Sequence, residues 1–278
     1  MPPSSSRPSA VAALLFVALV AGCATAPISV DEERQLGAEL DRQVRSEATF
    51  VRDPVIQAYV ERIGNDIVRA APPQAYAYRF KVVDDDEINA FAGPAGYVYI
   101  HTSILKKARN VSEVAGVIAH EVGHVALRHV AQNYNRAKNT DLVYKAGVLA
   151  TAVLAGGAAA NLASLGAGLA AMAYVNSFGR EAEEQADAFA VEVLPRAGYD
   201  PEGLVTFFQT IQRQYGDGGL SFLESHPAPS DRIEATSRLI AAEDLAPGLR
   251  VDDGGQLEII QRRLELLERA RFGRRSDP

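Results

Sequence analysis

The sequence predicts an α+β fold that is mainly helical and contains one small sheet. Several segments place apolar residues every three to four positions, which is the spacing of an amphipathic helix. Two stretches, 76–83 and 96–102, instead alternate and are rich in aromatic and β-branched residues, which is typical of strands. Both strands precede a long apolar helix. With 278 residues, the chain can bury a substantial core in one or two domains.

The charge and cysteine content argue against two classes of site. The formal net charge is -7 at neutral pH, so no basic surface is available to displace counterions from phosphates. A nucleic-acid partner is therefore not expected. Cys23 is the only cysteine, so the chain can form neither an internal disulfide framework nor a thiolate-rich metal site.

The beginning of the chain has the pattern of an export signal. Arg7 supplies one positive charge, the apolar run Ala10–Val20 is too short to span a bilayer, and "VAGC" ends at Cys23. This resembles a bacterial lipobox, and the alternative is a plain signal peptide with an incidental cysteine. We predict cleavage before Cys23 and membrane anchoring through its lipidation. Ala24 follows the cysteine, which by analogy with bacterial sorting favours the outer membrane, facing the periplasm.

The next segments predict two helices. The first begins near Asp31, with acidic residues in its first turn. In the second, Asp53 is placed to cap the helix and Pro54 to occupy its first position, and Pro72 ends it. Apolar residues recur every four positions along this second helix, at Val55, Tyr59, Ile63 and Ile67.

The two strands are predicted at Tyr76–Val83 and Gly96–Thr102, and "EINAFAGPAG" between them predicts a short strand and a turn. A long helix follows. Asn110 with Glu113 three residues later resembles a capping box, and the helical pattern continues to about Gln132.

The C-terminal half predicts further helices. The Ala/Gly/Leu-rich segment 145–175 predicts an apolar helical hairpin, buried or touching a bilayer, with a true membrane span as the alternative. Helices are also predicted from Ser177 to Pro195 and from Asp200 onward. An amphipathic helix over 256–271 has one apolar face, formed by Leu257, Ile260, Leu264 and Leu267.

The long apolar helix carries a metal-binding pattern. His120 and His124 are four residues apart, so both rings project from one face, and Glu121 lies between them in an HExxH motif. The alternative is a pair of core histidines with satisfied hydrogen bonds. Burying two imidazoles and a carboxylate in so apolar a helix is costly without compensating partners, which favours the metal site.

A catalytic zinc ion usually has three protein ligands, so a third is expected. Glu183, on the later helix, is the best candidate, and Asp187 lies one turn further on the same face. Asp187 can accept the remaining N–H of a ligand histidine and fix its tautomer. The alternative is that Glu181, Glu183 and Glu184 form a solvated face.

Three motifs together carry a family resemblance. "HEVGH", "SFGREAEEQADAFA" and "SHPAPSDRI" occur in the expected order, and the chain resembles the gluzincin peptidases related to the CAAX prenyl proteases and HtpX, in their periplasmic lipoprotein branch. The resemblance implies a zincin-like metallopeptidase fold whose small sheet has an edge strand bordering the zinc-binding helix. It implies one Zn²⁺ on His120, His124 and Glu183, a general base at Glu121, and a supporting carboxylate at Asp187.

By the same resemblance, the loop "SHPAPSDRI" borders the zinc ion. His226 or Arg232 could stabilise the developing oxyanion. His226 could instead fill the open zinc position and hold the enzyme inactive, which we slightly favour. A capping loop in which Arg232 pairs with an acid is the structural alternative. His129 is five residues past His124 and is expected to face elsewhere, as a structural or surface residue.

The expected function is zinc-dependent endopeptidase activity on misfolded or misassembled envelope proteins in the periplasm. Substrate would pair its backbone with the strand around Gly96–Ile100. One alternative is a chaperone-like outer-membrane assembly factor with a largely latched zinc site, and another is an integral-membrane protease anchored through 145–175. The predicted organisation is a lipoprotein signal peptide (1–22), a tether (23–30), a metallopeptidase domain (31–247), and a C-terminal amphipathic helix and tail (248–278).

Overall fold

The structure is a computed structural model that describes residues 28–136, 178–215, 226 and 229–273. The predicted signal peptide, the anchor at Cys23 and the apolar hairpin at 145–175 lie outside the described residues. Among the described helices, none is long and apolar enough to cross a bilayer.

The described part of the chain is mainly helical with one three-stranded sheet, which confirms the predicted fold class. The predicted helices and strands agree in type with those observed in the described residues, but the helix Thr102–Lys107 was not predicted. In chain order the elements are α1 Val30–Glu47, α2 Pro54–Ala70, β1 Arg79–Val83, β2 Ala90–Ala92, a 3₁₀ turn Pro94–Gly96, β3 Tyr97–His101, α3 Thr102–Lys107, α4 Val111–Ala126, α5 Arg180–Arg196, α6 Glu202–Tyr215, α7 Pro229–Ala242 and α8 Gln256–Gly273.

The sheet has the strand order β1-β3-β2. β3 pairs parallel with β1, where Arg79 is opposite Tyr97, and antiparallel with β2, where Ala92 is opposite Val98. β3 is therefore the central strand, and both of its edges are already paired. The prediction that Gly96–Ile100 offers its backbone to a substrate is wrong for this reason. The edge strand that contacts α4 is β2.

The helix starts follow the predicted capping chemistry. The Asp53 side chain accepts from the main-chain N–H groups of Val55 and Ile56 at the start of α2. The Asn110 side chain accepts from Glu113 N–H, but the Glu113 carboxylate reaches Arg109 rather than the cap itself. The box at α4 is thus half formed. In both cases the first turn gains acceptors for N–H groups that no helical carbonyl can satisfy.

The helix α4 ends earlier than predicted, at Ala126 rather than near Gln132. Arg128 adopts a positive φ of 57°, and the chain becomes helical again over 129–136. Arg128 donates to the buried Glu33 carboxylate at 2.9 Å and to the Ile28 carbonyl at 2.9 Å. These contacts hold a backbone conformation that costs a non-glycine residue about 1–3 kcal/mol.

α4 lies in the centre of the molecule, and every residue from Val111 to Val125 is buried. Two glycines let its neighbours approach closely. A Cβ at Gly116 would lie 2.7 Å from the Leu204 backbone of α6, and one at Gly123 would lie 3.2 Å from the Ala186 Cα of α5. The second contact brings the acidic face of α5 against the HExxH face of α4.

Replacing Gly116 with alanine is expected to destabilise the fold by about 1–3 kcal/mol or more. Alanine favours a helix by about 1 kcal/mol over glycine, but the clash is with backbone that cannot rotate away. Urea unfolding measures the difference. Gly179→Ser is the matched control, since nothing lies within 4 Å of a Cβ there and serine caps helices well. Equal stability of the two variants would show that α4 and α6 are not packed this closely.

The C-terminal helix α8 belongs to the same hydrophobic core as the rest. Leu257, Ile260 and Leu264 are buried in the main core cluster, whereas Leu267, predicted for the same face, is 39% exposed. Arg263 also donates to Asp53 at 2.6 Å. The helix therefore stabilises the start of α2 as well as covering the core.

Candidate active site

Four side chains converge at the centre of the molecule. α4 contributes His120 and His124, α5 contributes Glu183, and His226 lies just before α7. One donor atom from each lies within 4.8 Å of the other three. All four residues are at most 1% exposed. The structure thus brings together the three predicted ligands and the histidine of the predicted loop.

The distances within this set suit a shared cation. His120 Nε2 lies 3.0 Å from His124 Nε2, 3.2 Å from His226 Nδ1 and 3.4 Å from Glu183 Oε2. One N–H proton cannot serve three partners at once. Donor atoms that surround a tetrahedral zinc ion at about 2.0–2.2 Å lie about 3.3–3.6 Å from one another. The observed distances are shorter than these by only a few tenths of an ångström. The four side chains could therefore bind the ion after a small outward movement, so the residues present fit zinc.

Glu121 is fully buried beside this set. Its two carboxylate oxygens accept no hydrogen bond from the described residues, and Oε1 lies 3.4 Å from His226 Nε2. Burial raises the pKa of Glu121, while His226 and His120 counteract this in part. A buried carboxylate without a donor is costly. Its position suits a group that takes a proton during a reaction.

Asp187 and Arg232 lie behind His120. Asp187 Oδ1 is 2.9 Å from His120 Nδ1, which is the contact expected for a carboxylate that orients a ligand histidine. Arg232 contacts Asp187 at 2.6 Å and Glu183 at 2.6 Å. Burial alone would raise the pKa of Asp187, but the charge of Arg232 and its hydrogen bonds outweigh burial and lower the pKa to about 2. Arg232 is thus paired with two acids, and its oxyanion role stays a prediction.

Among the described residues of the site, buried carboxylates outnumber buried guanidinium groups. Three carboxylates, Glu121, Glu183 and Asp187, face one guanidinium, Arg232, and all are at most 3% exposed. With neutral imidazoles, this leaves two uncompensated negative charges. Burial and Arg232 act to lower the pKa of His120, yet contacts with Asp187 and Glu183 raise it to about 9. The surrounding carboxylates thus attract a proton to His120, and a divalent cation bound there would neutralise the same negative charge.

His129 lies outside the four-donor set but makes a contact with a predicted ligand that the sequence did not predict. It is 2% exposed, and its Nδ1 lies 2.9 Å from His124 Nδ1. The expectation that it faces elsewhere assumed an unbroken helix. The break at Arg128 turns the chain, so the five-residue spacing no longer sets the direction of the side chain. No local sequence signal indicates a positive φ at an arginine.

Comparison with known proteins agrees with this geometry. Peptidase family M48 matches residues 54–240, which include the HExxH helix, α5 and the start of α7. The beta-barrel assembly-enhancing protease of Yersinia pestis is 33% identical over 214 residues, covering 76% of this chain and 44% of the relative. The protein of that name from Escherichia coli K12 is 31% identical over 216 residues, covering 74% of this chain and 43% of the relative.

A third relative has a length closer to that of this chain. Metalloprotease LoiP of Escherichia coli K12 is 26% identical over 226 residues, covering 78% of this chain and 84% of the relative. By contrast, the chain spans less than half the length of the first two relatives. The family match covers well over half of the chain and includes every residue of the buried cluster. The chain therefore belongs to peptidase family M48 and is a metallopeptidase.

Proposed function

We propose that the chain is a zinc-dependent endopeptidase whose resting site is closed by His226. The observation that carries this proposal is the four-donor set of His120, His124, Glu183 and His226 beside the buried Glu121, whose carboxylate accepts no hydrogen bond within the described part of the chain. Four imidazole and carboxylate donors favour zinc over the larger oxygen-binding cations. A purely structural zinc site would not need Glu121, because that residue is not among the four donors.

A zinc ion held by these residues would supply Lewis acidity, which would make a water molecule more acidic and would polarise a peptide carbonyl. Glu121 accepts the proton of the attacking water and then passes it to the nitrogen of the leaving amine. Asp187 holds the ring of His120 in place through its Nδ1 contact. Arg232 keeps Glu183 and Asp187 charged, since it pairs with both.

His226 would be the fourth ligand of a bound ion and would take the place that a reacting water needs. Its Nδ1 lies 3.0 Å from Glu183 Oε1 and 3.2 Å from His120 Nε2, as a fourth ligand would. A catalytic zinc site keeps one position open, whereas four protein ligands close it. His226 must therefore move away before the reaction begins. The overall cleavage rate is then the rate of the open enzyme multiplied by the fraction of molecules in the open state.

Substrate backbone is proposed to pair with β2, the edge strand beside α4. Gly93 N–H donates to Tyr97 and Asn89 accepts from His101 N–H, so alternate residues of the strand bond to β3. The backbone groups of Ala90 and Ala92 consequently point to the other side. Both alanines are at most 1% exposed, which is consistent with a closed resting state that must open to admit an extended peptide.

Envelope proteins are the proposed substrates. The export pattern that ends at Cys23 supports a lipid-anchored protein in the periplasm, at the outer membrane. The names of the two relatives that share 33% and 31% identity refer to β-barrel assembly. Misfolded or misassembled β-barrel proteins present extended segments, and these suit recognition through backbone pairing.

Digestion of one outer-membrane β-barrel protein, supplied unfolded or folded in detergent, tests this proposal. The purified chain should cleave the unfolded form in a zinc-dependent way and spare the folded form. Reloading the chelated enzyme with zinc is the control for metal dependence. Binding of the unfolded barrel without any cleavage, even with His226 replaced, would favour a chaperone-like assembly factor instead.

Replacing His226 with alanine is expected to speed cleavage, because three ligands still hold zinc and the fourth position opens to water. Initial rates on unfolded casein, with zinc content measured on the same samples, check this. If His226 instead steadies the oxyanion, the variant should be slower by about 10²–10³-fold with zinc unchanged. A slower, fully zinc-loaded variant would thus contradict the latch.

A further inference from the structure

His129 lies on the side of His124 that faces away from the four donors. Its Nδ1 is 2.9 Å from His124 Nδ1, and its Nε2 is 3.0 Å from Gln185 Oε1. Gln185 Nε2 in turn donates to Glu181 Oε1 at 3.3 Å. A chain of contacts therefore runs from a proposed zinc ligand in the core to the surface of α5.

Only one arrangement of protons fits both this chain of contacts and metal binding. His124 Nε2 faces Glu183 Oε1 at 3.3 Å and must be unprotonated to bind a cation. Its proton is then on Nδ1, which donates to His129 Nδ1. His129 consequently carries its own proton on Nε2, which donates to the amide oxygen of Gln185. The amide nitrogen of Gln185 still has an acceptor in Glu181, so each donor meets an acceptor.

The reverse arrangement would block the site. If His129 donated from Nδ1, His124 would have to accept at Nδ1 and carry its proton on Nε2, toward the metal position. The amide oxygen of Gln185 would also lose its donor. The direction of these hydrogen bonds therefore decides whether His124 can act as a ligand.

We propose that His129, oriented by Gln185, is a positioning residue that holds His124 in its metal-binding tautomer. The ring of His120 is held in the same way by a carboxylate, because Asp187 contacts its Nδ1. Phe178 stacks on the His124 ring with centroids 3.8 Å apart, so the ring plane is fixed by packing and the tautomer by His129. This inference rests on the proposed zinc function.

Zinc affinity, measured by competition with a coloured chelator, tests the role. His129→Leu keeps a similar volume but removes the acceptor, and should weaken zinc binding by about 10–100-fold, as loss of such partners does. His129→Asn places an amide oxygen near the former Nδ1 position and should recover most of that loss. The visible spectrum of the cobalt-substituted protein should change with His129→Leu and return toward wild type with His129→Asn.

The matched control is His101→Leu. His101 is another buried histidine, 6% exposed, whose Nδ1 contacts the Glu87 carbonyl outside the four-donor set. This substitution should cost stability yet leave zinc affinity unchanged. Metal-free thermal unfolding is recorded for every variant, and His129→Ala replaces His129→Leu if the latter does not fold.

Wild-type zinc affinity in His129→Leu, or an equal loss of affinity in His129→Leu and His129→Asn, would overturn the proposal. Equal losses in His129→Leu and His101→Leu would overturn it as well, because they would indicate general loosening of the fold. These outcomes can be distinguished from the outcome expected if the proposed zinc function itself is wrong. In that case the wild-type protein itself would bind no zinc.

Discussion

Replacing Glu121 with glutamine is expected to lower peptidase activity by about 10²–10⁴-fold while zinc remains bound. The amide cannot accept the proton of the attacking water, whereas the four donor side chains are untouched. Glutamine has nearly the same shape as glutamate, so the fully buried position is not disturbed by a change in volume. Single-turnover cleavage of a fluorogenic peptide measures the effect.

The substitution should have the same effect in the open enzyme. In the His226→Ala background the closing ligand is absent. Any loss of activity that Glu121→Gln causes in that background is therefore due to the missing proton acceptor and not to the latch. Zinc content of each preparation is the control. Activity above about a tenth of wild type in a fully zinc-loaded Glu121→Gln protein would contradict a general-base role.

Replacing Glu183 with glutamine is expected to abolish tight zinc binding, and activity with it. A neutral amide is a poor zinc ligand, and its loss leaves Arg232 without one of its two carboxylate partners. Removing one partner of a buried ion pair typically costs about 3–5 kcal/mol. We therefore also expect a lower thermal stability. Chelator competition and thermal unfolding measure the two effects.

Glu184→Gln is the matched control, because Glu184 is the adjacent acid on α5 but is exposed. It should bind zinc and cleave like wild type. Unchanged zinc affinity in Glu183→Gln would show that another acid of α5 is the ligand. Glu184 and Glu181, both exposed in this structure, would then be the candidates.

The chemistry of the site was readable from the sequence where it depends on spacing along one helix. His120 and His124 are one turn apart on α4, as are Glu183 and Asp187 on α5, and regular helices keep each pair on one face. Helix starts were also predictable, because a cap such as Asp53 acts on N–H groups only two and three residues away.

Features that depend on distant residues were not predictable. The turn at Arg128 is held by Glu33, which is 95 residues away in the chain, and His129 lies beside His124 directly after this turn. The central place of β3 likewise follows from which strands pair, and alternation along one strand carries no information about its neighbours. The latch proposed for His226 rests on its distances to Glu183 and His120, and spacing along the chain does not supply such distances.

X-ray absorption at the zinc K edge shows whether His226 is a zinc ligand in the resting enzyme. The multiple-scattering signal counts imidazole ligands. We expect three imidazoles and one carboxylate in the wild-type protein, and two imidazoles with one carboxylate in His226→Ala. Two imidazoles in both proteins would contradict the latch, and a purified wild-type protein that binds no zinc would contradict the metal site itself.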